Sequence, residues 1–296
     1  ESITKVKSLS GFRPDAIPTE VITASEPVIL KGLVDQWPIV QAGKQSRSAL
    51  EQYLLKYYNG LPVVVGHGAP EIEGKIFYQN KLRDINCTAY KLSLTEFFAK
   101  LAMHHNSNKP PLFYMGTTSA DGVFPNLQRD NTIRIEGKSP IMNFWMGNQS
   151  TIPAHYDVPH NLACNVYGKR RFTLFPPSEL DNLYIGPLDK TPAGQAISLV
   201  DFSNPDFKRF PKFKQAMKRA LVAELEPGDA LFLPSMWWHQ VEGLTSLNLL
   251  ATFWWSAHDR IHDDAGNALL YSIMALRNLP SEHKAIWRNL FEHYVF

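Results

Sequence analysis

From residue 141 to residue 254 the chain alternates short apolar runs with turn residues, and no other feature limits its fold so strongly. The runs 141–146, 161–167, 170–175, 220–224, 230–233, 240–242 and 248–254 are all of strand length. Between them stand Gly147-Asn148, Gly168, Pro176-Pro177, Pro227-Gly228-Asp229 and Gly243. Short strands at this spacing predict a β sandwich or barrel. One helix, from about 207 to 219, is expected to interrupt them. The chain has 296 residues, 44% of them hydrophobic, enough to bury a large core. No run approaches the roughly 20 consecutive apolar residues that a membrane span needs.

The flanks are mixed. Residues 27–30 predict a buried strand, closed off near Trp37-Pro38. Leu50, Tyr53, Leu54 and Tyr57 recur at helical spacing and predict a helix over 46–58. A strand follows at 62–65. A helix over 92–103 is marked by Ser93 as N-cap with Glu96 three residues on. Residues 112–115 predict another strand. Beyond His258 the texture changes, and 264–279 and 281–294 predict a helical pair separated by Pro280. The expected organisation is one catalytic domain over 1–263 with its N-terminal extension, then the pair over 264–296. Cys87 and Cys164 are too few for a disulfide scaffold or a Cys-rich zinc site, and residues 1–11 hold no apolar signal-peptide core. A reducing, cytoplasmic-type compartment is the expectation.

The chemistry concentrates in three residues. On extended chain, residues two apart point to one side, so His155 and Asp157 can address one metal ion. Downstream, Pro227-Gly228-Asp229 turns into an apolar run, and His239 follows shortly after. Two histidines and a carboxylate leave coordination positions open, as in the facial triads of non-haem Fe(II) oxygenases. The chain has 10 histidines, however, and His262-Asp263-Asp264 repeats the His-x-Asp spacing. That copy is expected at a helix start, where acids complement the macrodipole. The remaining histidines, His67, His104, His105, His160, His258, His283 and His293, are expected on the surface or in the core. Spacing alone leaves the first copy open between metal site and coincidence.

Several motifs together resemble the JmjC class of 2-oxoglutarate oxygenases. They are Ile152-Pro153-Ala154-His155-Tyr156-Asp157, Asn161, the run from Gly168-Lys169-Arg170 to Pro176-Pro177, and the segment from Pro227-Gly228-Asp229 to Trp237-Trp238-His239. The stretch from Val200-Asp201-Phe202 to Phe210-Pro211 is similar to the cupin-like branch that includes the asparaginyl hydroxylase factor inhibiting HIF. The resemblance runs from about Phe12 through Trp255, and the C-terminal helical pair is also similar. It implies a mainly β fold, a double-stranded β-helix or cupin-like jelly roll, with N-terminal α/β elements and a C-terminal helical pair. It implies Fe(II) held by His155, Asp157 and His239. It implies 2-oxoglutarate as cosubstrate, converted to succinate and CO₂ while a substrate is hydroxylated. Tyr114 matches a family tyrosine that donates to the distal carboxylate of 2-oxoglutarate, and Asn161 a family asparagine near it. The family's carboxylate-binding lysine falls at Arg170. Strand alternation puts Arg170, Phe172 and Leu174 on one face and Lys169 and Arg171 on the other. Arg170 is the expected ligand and Lys169 the alternative. Ile152 and Thr252 stand where the asparaginyl hydroxylase has a threonine and an asparagine.

The resemblance implies a protein or peptide substrate. Ala196-Ile197 stands where the asparaginyl hydroxylase grips its target amide with an Arg-Gln pair, so hydroxylation of asparagine in ankyrin-like targets is not expected. Oxidation of a small molecule or a tRNA base is the alternative, as is a cupin-like metal-binding protein without turnover. Trp145, Trp237, Trp238, Trp254 and Trp255 are expected mostly in the core. Lys208, Arg209, Lys212, Lys214, Lys218 and Arg219 surround a helical apolar stripe and predict a solvated face, the alternative being an acidic protein or RNA partner. A formal net charge of +2 argues against a dedicated nucleic-acid binder. The C-terminal helices are apolar beyond one stripe. The resemblance implies a homodimer through them, with packing inside the chain as the alternative.

Overall fold

Sixteen short strands build the frame of the fold, seen here in a computed structural model that describes residues 3–189, 191–257 and 265–296. In chain order they are β1 (Thr4–Lys5), β2 (Lys7–Ser10), β3 (Val28–Lys31), β4 (Val63–Gly68), β5 (Tyr78–Gln79), β6 (Asp84–Ile85), β7 (Thr88–Leu92) and β8 (Leu112–Ser119). The core strands follow: β9 (Ile141–Gly147), β10 (Ser150–His155), β11 (His160–Tyr167), β12 (Arg170–Phe175), β13 (Leu221–Leu225), β14 (Ala230–Leu233), β15 (Trp238–Gly243) and β16 (Asn248–Trp255). The helices are α1 (Thr19–Ile22), α2 (Pro38–Gln45), α3 (Arg47–Tyr57), α4 (Leu94–Met103), α5 (Ala120–Val123), α6 (Phe213–Arg219), α7 (Ala265–Leu276) and α8 (Ser281–Tyr294). The chain divides into two units, 1–257 and 258–296. The expected boundary at 263/264 lies outside the described residues, as do His258 and His262-Asp263-Asp264.

In the first unit the strands form two main sheets. One has the order β1-β13-β12-β15-β10, and the other β2-β3-β14-β11-β16-β9-β8-β4-β7. Their facing sides share Ala163, Phe172, Leu174, Leu231, Leu233, Val241 and Leu250. These residues alternate along their strands with residues of opposite orientation, as pleating requires. The far side of the larger sheet packs Phe144, Leu162, Phe232 and Phe253 against Leu50, Leu54 and Phe97 of the N-terminal helices. A third cluster, with Phe175, Phe210, Phe213 and Trp238, covers one end of the smaller sheet. This is the expected jelly-roll arrangement of two facing sheets, antiparallel but for the edge pairs β1–β13 and β2–β3.

Several expectations are corrected. Trp37-Pro38 starts a helix rather than closing a segment, because proline at the first helical position loses no hydrogen bond. The helix expected over 207–219 is confined to α6. Asp206 accepts the amides of Lys208 and Arg209 in a turn, and Pro211 has no amide to carry the helix back. Strand β10 was absent from the sequence reading. The helix at 92–103 forms as α4 with a complete capping box between Ser93 and Glu96. In the second unit α7 spans Ala265–Leu276 and α8 Ser281–Tyr294, with Pro280 as N-cap of α8.

Candidate metal centre

His155 and His239 meet because β10 pairs with β15. Ser150, Thr151 and Ile152 oppose Gly243, Glu242 and Val241 in regular antiparallel register, and then the register shifts so that His155 opposes His239. One extra residue is accommodated between Ile152 and His155, a β-bulge. Ser198 donates its amide to the Ala154 carbonyl at 2.8 Å and holds the bulge. The two imidazole centroids are 4.3 Å apart.

Asp157 lies in the loop after β10. Its carbonyl accepts the Met236 amide at 2.9 Å, and Ser235 Oγ donates to the Val158 carbonyl. The Ser235 amide also donates to His160 Nδ1 at 3.0 Å. The two ligand-bearing loops are thus braced together, with Met236 at the left-handed φ of 67° that the tight turn requires. His160 was assigned no such role from sequence. Candidate ligand atoms of His155, Asp157 and His239 all lie within 4.8 Å of one another, the only such cluster among the described residues.

Both imidazoles are oriented for a metal. His155 Nδ1 bonds the Pro153 carbonyl at 2.8 Å and His239 Nδ1 the Trp237 carbonyl at 2.9 Å. A carbonyl only accepts, so each Nδ1 donates, and the Nε2 of each ring is the atom left to face the cluster, where a bound cation would take its lone pair. Burial, then the charge of His239, lowers the His155 pKa to about 4. Burial raises the Asp157 carboxyl, but the His239 hydrogen bond and the charges of both histidines outweigh it and hold the group below its ordinary value. Near neutrality the cluster is therefore a carboxylate beside neutral His155, a donor set that suits a divalent ion with positions left open.

Arg170 lies on the same inner face of the smaller sheet. Along it run the cross-strand rows Leu221–Leu174–His239–His155, Ala223–Phe172–Val241–Ile152 and Leu225–Arg170–Gly243. Arg170 is thus two rows, or about 13 Å of strand, from the histidine row. An extended arginine and a five-carbon diacid together cover that span. Arg170 is buried, forms no ion pair among the described residues, and leaves Nε without a hydrogen-bond partner. Burial lowers its pKa to about 10, so it remains a cation near neutrality. Tyr114, partly accessible on β8, is close enough for its charge to register at Arg170, and burial pushes its hydroxyl up to about 12. Asn161 is buried with Oδ1 unpartnered. Thr252 is buried and accepts the Trp145 indole N–H at 2.9 Å, a contact the alternation of β9 implies but the sequence reading missed. Lys169 faces outward in an exposed pair with Glu226 at 3.0 Å. A buried, unpaired guanidinium two rows from a His-His-Asp cluster fits a dianionic chelator, and the cluster fits Fe(II).

Comparison with known proteins agrees with this geometry. A cupin-like domain family matches residues 14–261. Lysine-specific demethylase 8 of Xenopus tropicalis is 27% identical over 252 residues, covering 84% of this chain and 51% of that protein. Jumonji C domain-containing protein 5 of Drosophila melanogaster is 35% identical over 248 residues, covering 80% and 56%. Lysine-specific demethylase JMJ30 of Arabidopsis thaliana is 28% identical over 240 residues, covering 72% and 54%. The chain spans about half the length of these relatives. With its two facing sheets, its matched residues and its JmjC-named relatives, the chain belongs to the cupin-like domain family, in its JmjC-type part.

Proposed function

We propose that this chain is an Fe(II)- and 2-oxoglutarate-dependent oxygenase that hydroxylates a protein side chain. The observation that carries the reading is Arg170, a buried cation without an acidic partner facing the same interior as the His155, Asp157 and His239 cluster. In this reading His155, Asp157 and His239 hold the iron. Arg170 takes the distal carboxylate of 2-oxoglutarate through parallel charge-assisted hydrogen bonds, and Tyr114 donates to the same group. Asn161 and Thr252 border the cosubstrate. Bound iron and 2-oxoglutarate supply the oxidising chemistry, and the chain supplies orientation and exclusion of water. The demethylases among its relatives support a protein substrate. The narrower likeness to the asparaginyl hydroxylase does not carry its substrate here, because Ala196 and Ile197 are buried and apolar.

The test is succinate formation from 2-oxoglutarate with Fe(II) and ascorbate and no added substrate. A low metal-dependent rate that His155→Ala abolishes is expected. Failure of the metal-loaded protein to bind 2-oxoglutarate would overturn the reading. The two free cysteines fit a reducing, cytoplasmic compartment, and no described helix is long and apolar enough to cross a membrane. A homodimer through α7 and α8 is part of the proposal, since Leu270, Met274, Trp287 and Leu290 are exposed there. Light scattering should give twice the chain mass, and Trp287→Glu with Leu290→Glu should halve it. A monomeric wild type would remove the dimer.

A further inference from the structure

Residues 208–219 hold six cations, Lys208, Arg209, Lys212, Lys214, Lys218 and Arg219, and no acid. The whole chain is only +2, so everything outside this strip carries a net −4. All six side chains are exposed. Arg219 is paired with the buried Glu179 at 3.1 Å, whereas among the described residues no carboxylate lies within ion-pair distance of the other five. Lys218 and Arg219 complement the last carbonyls of α6. Lys208, Arg209, Lys212 and Lys214 stand before that helix or in its first turn, where the same effect disfavours cations. The helix terminus therefore gives no account of these four, although Arg209 also lies over the Phe210 ring at 5.0 Å. Lys214 Nζ sits 5.2 Å above the ring of the exposed Phe207, so the strip also offers an apolar contact.

The strip lies at the metal end of the fold. Phe210 and Phe213 beneath it share a cluster with Tyr156 and Trp238, the chain neighbours of His155, Asp157 and His239. Helix α6 runs into β13, whose first residue, Leu221, stands in the cross-strand row of Leu174, His239 and His155. Two strand spacings, about 10 Å, separate Leu221 from His239. The seven residues of α6 add about 10 Å more.

We propose that this basic strip docks an acidic segment of the polypeptide substrate. This rests on the reading of the chain as an oxygenase of protein side chains. At about 3.3 Å per residue, the Asp or Glu residues it grips lie roughly three to seven positions from the residue presented to the metal. A polypeptide suits the strip better than a nucleic acid. The strip is short for a phosphate backbone, the rest of the chain sums to −4, and the chain's pI of about 8.4 is below the usual range of nucleic-acid-binding domains.

The test is fluorescence anisotropy on the full chain with fluorescein-labelled probes. They are a peptide of alternating Glu and Gly, its Gln-Gly counterpart, and a single-stranded oligouridine. The Glu-Gly peptide should bind in preference to Gln-Gly and weaken as salt rises. Lys208→Glu with Lys212→Glu and Lys214→Glu, shown folded by circular dichroism, should weaken it by about tenfold or more. Arg83→Glu with Lys91→Glu, an equally exposed pair elsewhere, should change it less than about twofold. Undiminished binding by the triple variant, no preference over Gln-Gly, or tighter binding of oligouridine would overturn the proposal. Succinate formation, measured in parallel, separates the two readings. Turnover without peptide binding removes the docking surface and keeps the oxygenase. Peptide binding without 2-oxoglutarate binding keeps the surface and removes the oxygenase.

Discussion

Arg170→Leu should stabilise the ligand-free protein and disable its cosubstrate site. Arg170 is 2% exposed, and burial lowers its pKa from 12.5 to about 10. At about 1.4 kcal/mol per pKa unit, the charged form costs the folded state about 3 kcal/mol. The folded value lies below the unfolded one, so the cation opposes folding throughout the range below about pH 10. Leucine removes that cost but leaves a small void, which takes back about 1–2 kcal/mol. The net gain is about 1–2 kcal/mol, read as a higher urea midpoint without 2-oxoglutarate. The same substitution removes two charge-assisted hydrogen bonds of about 1.5–3 kcal/mol each and should weaken 2-oxoglutarate at least about 100-fold by calorimetry on the Mn(II)-loaded protein. Lys169→Ala should change binding less than about twofold, because that side chain faces solvent. Arg170→Leu that binds 2-oxoglutarate like wild type, or that lowers ligand-free stability by more than about 1 kcal/mol, would refute the reasoning.

Three further outcomes are expected. His155→Ala and Asp157→Ala should each cut iron-dependent succinate formation at least about 100-fold while keeping the far-ultraviolet spectrum, and full turnover by either would remove the triad. In metal-free protein, His155 has a folded pKa of about 4 against 6.5 unfolded, so stability present above pH 6.5 is lost as pH falls toward 4, by up to about 3 kcal/mol. Urea midpoints at neutral and acid pH should therefore converge in His155→Leu relative to wild type, and an unchanged pH slope would contradict the assignment. Ser93→Ala removes a capping-box acceptor and should cost about 1 kcal/mol of unfolding free energy, against which an unmoved urea midpoint would count.

The core strands were legible because each is short and bounded by Gly or Pro. Ala230–Leu233 and Arg170–Phe175 form where their apolar runs predict. The orientation of Arg170 was legible for the same reason. Phe172 and Leu174 fix which face of β12 is buried, and period-two alternation carries Arg170 with them. Strand β10 was hidden because Pro153 reads as a breaker and alternation fails across a bulge. The helix at 207–212 was overread because Phe207, Phe210 and Phe213 have helical spacing, a pattern that does not register the turn at Asp206. Asp157 was expected on the same extended segment as His155, yet it lies beyond the strand, and hydrogen bonds from a loop some eighty positions away set its place. Long-range bracing of this kind has no local signature.

The irregular pairing of β10 keeps Ile152 and His155 on one side of the sheet although three positions separate them. On an unbroken ladder two positions would do the same, because residues two apart point to one side. Cutting one residue between Ile152 and His155 should therefore leave the imidazole opposite His239 and remove only the carbonyl that Ser198 holds. A single-codon deletion here should yield a protein that still binds iron, and loss of the metal would show that the Ser198 anchor, not the side of the sheet, sets the ring.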